Sequence, residues 1–356
     1  MQEYMKKFPK KIFSGYWGGC HCQGIAVDEK KGFVYYSFTT KLVKSDLNGN
    51  VVGTVDGLIG HLGCIDFNEN DGKVYGSLEF KNDVIGRGIL QKLGITEATE
   101  DAFYIAIFDV DKIDRMDMSA EKDGIMRAVY LREVVADFKG KGEDGFDHRY
   151  GCSGIDGTGF GPIPGGKDKK NYLNVCYGVY GTTEREDNDY QVILSFDASE
   201  WWDKYGQPLN QRSMHAYGPE KPDFKHFVYT GSTNWGVQNF EYDAYTGDYI
   251  MAVYKGKKPA FPNFNMYILD GKIAPKTGKH KKTGEDIAEL FIKKQGLFEG
   301  EIYGNRFPYG STGTYAFGNG YYYFSQNAHD DENGEYTHLV LYKATGNPSD
   351  PFEEVE

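Results

Sequence analysis

Five stretches of the chain repeat one layout of apolar and polar positions. Ten-residue windows starting at Gly19, Ile59, Arg149, Asn234 and Tyr309 read GCHCQGIAVD, IGHLGCIDFN, RYGCSGIDGT, NWGVQNFEYD and YGSTGTYAFG. In each, a Gly-rich or polar lead runs into a short segment whose seventh position is apolar: Ile25, Ile65, Ile155, Phe240 and Tyr315. The ninth position follows suit in Val27, Phe67, Tyr242 and Phe317, and only Gly157 breaks the series. Apolar positions two apart bury one face of a strand. A turn and an aromatic-rich run come next each time, over residues 33–38, 74–80, 172–180, 249–254 and 321–325. That arrangement predicts a hairpin partner for every first strand.

Extending each unit gives blades over 19–56, 59–137, 149–231, 234–295 and 309–345. The first closes with strands over 42–46 and 51–55 around the turn Asn48-Gly49-Asn50. The second carries an insertion over 82–101 that holds a short helix, and its last strand spans 128–135. The third has an insertion around Trp201 and Trp202, and the fourth takes its last strand from 288–293. The fifth shows only three strands, so residues 11–17 at the opposite end of the chain supply the fourth and close a ring. Four-stranded sheets repeated about a central channel make a β-propeller. The expectation over 1–356 is one all-β domain, a β-propeller of five four-stranded blades; a seven-bladed ring requires strands hidden in the insertions.

Composition agrees with this picture and narrows the partners. Among 356 residues, 46 Gly and 28 Tyr favour short strands and tight turns over helices. A net charge of −12 with no basic patch argues against nucleic acid. No apolar run suits a membrane span. The lysines of MQEYMKKFPKKIF are not followed by the apolar core of a signal peptide, which points to a cytoplasmic location. Five cysteines, Cys20, Cys22, Cys64, Cys152 and Cys176, are too few and too odd in number for a disulfide framework, so reduced thiols are expected.

The pairing of QGIAVDEKKGFVYYSF with KLVKSDLNGNVVGTV resembles the blade grammar of NHL and SMP-30-type propellers. In that grammar an inner strand, a Gly turn and an aromatic strand precede an Asp-x-x-Gly-x hairpin. The resemblance implies fold, and such a fold hosts many functions.

In a propeller the leads into the inner strands converge on one channel mouth, the default place for a pocket. They bring there Cys20 and His21, then His61, then His148, Arg149 and Tyr150, then Asn234 and Trp235, and last Tyr309. The mixture of imidazole, guanidinium, amide, indole and phenol suits a small-molecule or oligosaccharide ligand with a flat or ring-shaped face; the plain alternative is a solvated polar rim. His21 and His61 hold the same position in adjacent repeats. With His148 they make a candidate site for a divalent cation: zinc, or calcium or manganese if carboxylates take part. Trp201, Trp202 and Tyr180 are read either as stacking platforms beside the pocket or as packing within their own blade.

The eighth window position reads Ala26, Asp66, Asp156, Glu241 and Ala316. Three carboxylates at one level between apolar neighbours need a reason. One is glycoside hydrolysis, which uses two carboxyl groups of separated pKa. The order Asp, Asp, Glu resembles the five-bladed glycosidases of the arabinanase, xylosidase and invertase type. That resemblance implies a base or nucleophile in Asp66, a support for the acid in Asp156 and the general acid in Glu241, although a Trp-x-Asn-Asp-Pro run is absent here. Two other functions stand beside a hydrolase. A lyase acting on an acidic sugar would use His61 or His148 as base, Tyr150 or Tyr309 as acid and Arg149 to neutralise the carboxylate, with or without a metal. A non-catalytic ligand-binding or scaffold propeller would leave the carboxylates facing channel water or a structural cation.

Overall fold

The alternating windows build five inner strands: Gly24–Asp28, His61–Asn68, Gly154–Gly161, Val237–Asp243 and Thr314–Ala316. The computed structural model describes residues 3–142, 145–167, 169–179, 185–186 and 189–356. Each inner strand starts an antiparallel sheet, and the sheets follow one another around a channel as a five-bladed β-propeller. The first blade continues through Phe33–Ser37, Leu42–Asp46 and Val51–Asp56, the second through Lys73–Phe80, Ala102–Phe108 and Met126–Tyr130. The third continues through Tyr172–Gly178, Tyr190–Phe196 and Phe224–Tyr229. In the fifth, Tyr321–Asp330 and Gly334–Ala344 are completed by Lys11–Tyr16, with Lys11 opposite Val340 and Tyr16 opposite Tyr336. The two ends of the chain therefore close the ring, and Phe352–Glu354 pairs along the end of Gly334–Ala344.

The fourth blade departs from the expectation. It holds Val237–Asp243, Asp248–Val253 and Met266–Leu269, and among the described residues no fourth strand joins it. The first half of the segment expected there lies in Asp286–Leu290, which runs parallel to Phe224–Tyr229 on the outside of the third blade and pairs with Lys276–Lys279. Its second half does meet the fourth blade through a single bridge, the Asp270 N–H donating to Phe291 O (2.8 Å) and the Lys293 N–H to Ile268 O (2.7 Å). Burial explains the choice. Ile287 packs into the core beside the third blade while Leu290 packs into that of the fourth, so the strand covers the seam between them. In the second blade the outer strand stops at Tyr130, and the helix Arg132–Lys139 replaces its expected tail. Val134, Val135 and Phe138 reach the core together at helical spacing, which a strand could not do.

The inner strands lie close enough to be joined backbone to backbone. A Cβ on Gly24 would come within 2.7 Å of the Ile65 amide nitrogen, so only glycine fits between the first two blades at that level. Side chains then pin one blade to the next. Ser37 Oγ donates to Gly63 O (2.6 Å), Ser77 Oγ to Asp156 O (2.8 Å), and Asn327 Nδ2 to Cys22 O (2.9 Å). Asn239 Nδ2 reaches Gln23 O at 3.1 Å and Ser311 O at 3.0 Å, tying the fourth blade to both sides of the ring seam. All five cysteines are free. Among the described residues no helix is long and apolar enough to cross a membrane.

Candidate functional site

All inner strands run the same way, so the channel has a near mouth where they begin and a far mouth where they end. Antiparallel pairing brings the last residues of each second strand to the near mouth as well. There the leads into the inner strands meet Thr39, Glu79, Lys81, Val179 and Tyr254 around a cavity of about 600 Å³. The inserted helix Val84–Lys92 forms one wall. Asp83 caps its first turn by accepting the Gly86 N–H at 2.9 Å, and Lys92 Nζ fastens its other end to Gly19 O at 2.8 Å.

Four ionisable side chains share the floor. His61 Nδ1 lies 3.6 Å from Glu79 Oε1 and 3.6 Å from Asp156 Oδ1, and Lys81 Nζ is 2.6 Å from Glu79 Oε1. Glu79 Oε2 accepts the Ile155 N–H (3.0 Å), Lys81 Nζ also donates to Ser153 O (3.0 Å), and Gln238 Nε2 donates to Asp156 Oδ2 (3.0 Å). Glu79 and Lys81 are thus held on every side, with side chains 2% and 6% exposed. The imidazole is different: its buried Nδ1 has no hydrogen-bond partner among the described residues, because 3.6 Å exceeds hydrogen-bond reach.

The electrostatics follow from burial and pairing. Burial pulls the His61 imidazolium down, but the Glu79 and Asp156 carboxylates outweigh it and hold the pKa above its ordinary value. Asp156 is pushed up to about 6, first by burial and then by the Glu79 charge, against the pull of His61 and Lys81. For Glu79 burial loses to Lys81 and His61, and its pKa falls. With His61 protonated the four groups sum to zero charge, two acids against two bases.

His21 stands over this floor. Its Nε2 lies 3.3 Å from Tyr254 Oη and 3.1 Å from Gln23 Nε2, and burial together with His61 lowers its pKa. Trp235 lines the cavity edge-on to Tyr254 with ring centroids 5.5 Å apart. Asn234 is buried behind the wall, where its Oδ1 accepts the Lys257 N–H.

Several candidates go elsewhere. His148 Nδ1 donates to Phe138 O (2.6 Å), and its ring stacks on that of Phe138. Arg149 pairs with Glu285, and Tyr150 Oη donates to the same carboxylate at 3.0 Å. The lead turns away from the mouth because His148 and Tyr150 adopt left-handed backbone, φ 69° and 59°. Tyr309 packs on Phe307 and Tyr342 outside the cavity. Trp201 is buried in the core, Trp202 lies beneath Arg127 and Lys73, and Tyr180 falls outside the described residues. The three imidazoles expected to share a cation are therefore not gathered.

The three carboxylates do not stand at one level either. In the second blade Leu62 pairs with Leu78 and, after a bulge, Ile65 with Gly76; in the third Ile155 pairs with Tyr177 and, after the bulge, Thr158 with Val175. Thr158 takes the place of Ile65, so Asp156 matches Gly63 and faces the near mouth. Asp66 and Glu241 face a separate cavity of about 240 Å³ at the far mouth. There Asp66 accepts the Phe67 and Phe160 N–H groups, both at 2.7 Å, and Glu241 accepts that of Ala316 at 2.7 Å. Burial raises Asp66 to about 7, and burial with the Asp66 charge raises Glu241 well above the usual carboxyl range.

Among the described residues, one group has ligand atoms near enough to one another to hold a metal ion: His61, Glu79 and Asp156, within 4.8 Å. The donor set suits a divalent cation. The Lys81 ammonium already occupies one Glu79 oxygen, so an ion would have to displace it.

No family model matches the chain, and no curated protein matches its sequence. Among solved structures it is similar to a calcium-binding protein, regucalcin, from Agrobacterium tumefaciens strain C58, with 13% identity and a TM-score of 0.33 over 92% of this chain and 94% of that one. It is similar to a GH43 β-1,3-galactosidase with galactodeoxynojirimycin at 14% identity and a TM-score of 0.40, over 94% and 95% of the two chains. Bacillus subtilis arabinanase gives 11% and 0.34 over 95% and 99%. These neighbours are β-propeller proteins, and the likeness is one of fold alone.

Proposed function

We propose that the protein is a carbohydrate-active enzyme that binds a small acidic sugar at the near mouth and performs elimination by proton transfer, as a lyase does. The observation that carries this reading is the buried His61 held between Asp156 and Glu79 on the floor of the 600 Å³ cavity. Asp156, with a pKa of about 6, is ionised at neutral pH and serves as base, taking the proton next to the sugar carboxylate. The C–O bond at the neighbouring carbon breaks as the double bond forms, and the His61 imidazolium gives its proton to the leaving oxygen. Lys255 and Lys257 line the same mouth and attract the sugar carboxylate. Glu79 flanks the imidazole, Lys81 holds Glu79, and both stay out of the chemistry. Should a divalent cation displace Lys81, it would neutralise the sugar carboxylate.

Elimination leaves an unsaturated product that absorbs in the ultraviolet, so turnover of uronate oligosaccharides is read directly. His61→Gln and Asp156→Asn should each lower kcat by about 10² to 10⁴-fold with the fold retained. The rate should fall as pH drops below about 6, where Asp156 takes a proton, and fall again as pH climbs through the raised His61 value. The apparent values belong to the pair. Full activity in His61→Gln, or no unsaturated product from any uronate, overturns the reading.

A hydrolase remains as a second reading on one observation: Asp66 and Glu241 are electrostatically linked and share the far cavity. It predicts hydrolysis of a neutral sugar that vanishes in Glu241→Gln and survives in Asp156→Asn.

A further inference from the structure

The near mouth has two unlike halves. Its floor carries His61, Asp156 and the other ionisable groups, whereas the wall opposite is aliphatic. Val84, Ile85 and Ile89 line the cavity from the inserted helix, on the face that positions 84, 85, 88, 89 and 92 share at helical spacing. Val84 is left 69% exposed there, at the rim of an apolar surface that continues through Ile85 to Ile89 inside the cavity. Gly88 lies on the same face, and a Cβ built on it meets no atom of the described residues within 4 Å.

We infer that the ligand carries an apolar group beside its acidic sugar ring, and that this group lies against Val84, Ile85 and Ile89: the substrate class is an aryl or alkyl uronide. This rests on the acid–base reading above. A cavity of about 600 Å³ is in the range that suits drug-sized ligands, more than one sugar ring fills. A second sugar is the wrong occupant for the wall. Its hydroxyls would face Val84, Ile85 and Ile89, which offer no hydrogen bonds, while the ammonium of Lys92 on the same face is turned to Gly19 O, and sugars stack on aromatic rings, which this helix lacks. An aryl or alkyl substituent instead buries its apolar surface against the helix.

The test compares glucuronate with phenyl β-glucuronide by titration calorimetry and thermal melting on the full chain. Both should bind, the phenyl compound roughly tenfold tighter or more. Gly88→Leu puts a side chain into the open half of the cavity at a site where leucine favours the helix. It should remove the gain from the phenyl group and leave glucuronate binding unchanged; Ile85→Ser should cut the same gain without filling the cavity. Equal affinities for the two compounds in the wild type, or a phenyl gain untouched by Gly88→Leu, overturn the inference while leaving the acidic-sugar reading in place. Binding of neither compound overturns both.

Discussion

At the scale of the residue, the two mouths use carboxyl groups differently. Asp156 faces a cavity and a histidine; Asp66 and Glu241 hold backbone N–H groups of the next blade. A far-mouth pair that only joins blades has a pH signature. A carboxyl whose folded pKa is raised adds stability that is complete below its unfolded value, near 4.5 for Glu241, and is lost as pH rises toward the folded value. Glu241→Gln keeps an oxygen for Ala316 N–H and cannot ionise. It should match the wild type at pH 4 and exceed it in urea unfolding at pH 8 by about 1 kcal/mol or more; a loss of stability at both pH values contradicts the assignment. Sequence showed the carboxylates but not their level, because the third inner strand is offset by three residues against the repeat: both strands carry the same bulge, yet Thr158, not Ile155, stands where Ile65 does. The break at Gly157 was the trace of that shift. Glu79, Lys81 and Tyr254 have no place in the repeated windows, since they lie at the ends of the antiparallel partners, which pairing brings to the same mouth.

At the scale of the element, alternation found the inner strands, and the fifth blade's deficit pointed to Lys11–Tyr16 as its completion. Strands that lie outside the repeat were less legible: Asp286–Leu290 has the apolar pattern of a fourth-blade strand, and only the burial of Ile287 beside the third blade decides its place. The closing strand also carries buried apolar weight, since Met5 and Phe8 in the segment leading into it and Ile12 within it pack into the cluster that joins the first and fifth blades. Each fully buried side chain of this kind is worth about 1.5 to 3 kcal/mol. Removing residues 1–17 should therefore cost roughly 5 kcal/mol or more, comparable with the whole stability of many domains. Urea unfolding of the truncated chain checks this, and an unchanged midpoint would show that the ring does not need its clasp.

At the scale of the whole molecule, a chain of net charge −12 gathers Lys81, Lys92, Lys255 and Lys257 around one mouth. Exposed charges act over about 10 Å in 0.1 M salt and about 3 Å in 1 M. Uronate affinity should fall about tenfold between those conditions, read by calorimetry, and Lys255→Glu with Lys257→Glu should flatten the dependence. The ring clasp, finally, sets a timetable. Lys11 pairs with Val340, so the two partners lie 329 positions apart in the chain. At about 5 to 20 residues per second of synthesis, the first strand waits roughly 15 to 65 s on the ribosome for its neighbour. Through that interval Lys11–Tyr16 keeps unpaired backbone groups and Ile12 lacks the fifth-blade side chains, Leu339 and Leu341 among them, that complete its cover, so the segment stays open to pairing with other chains until the ring closes.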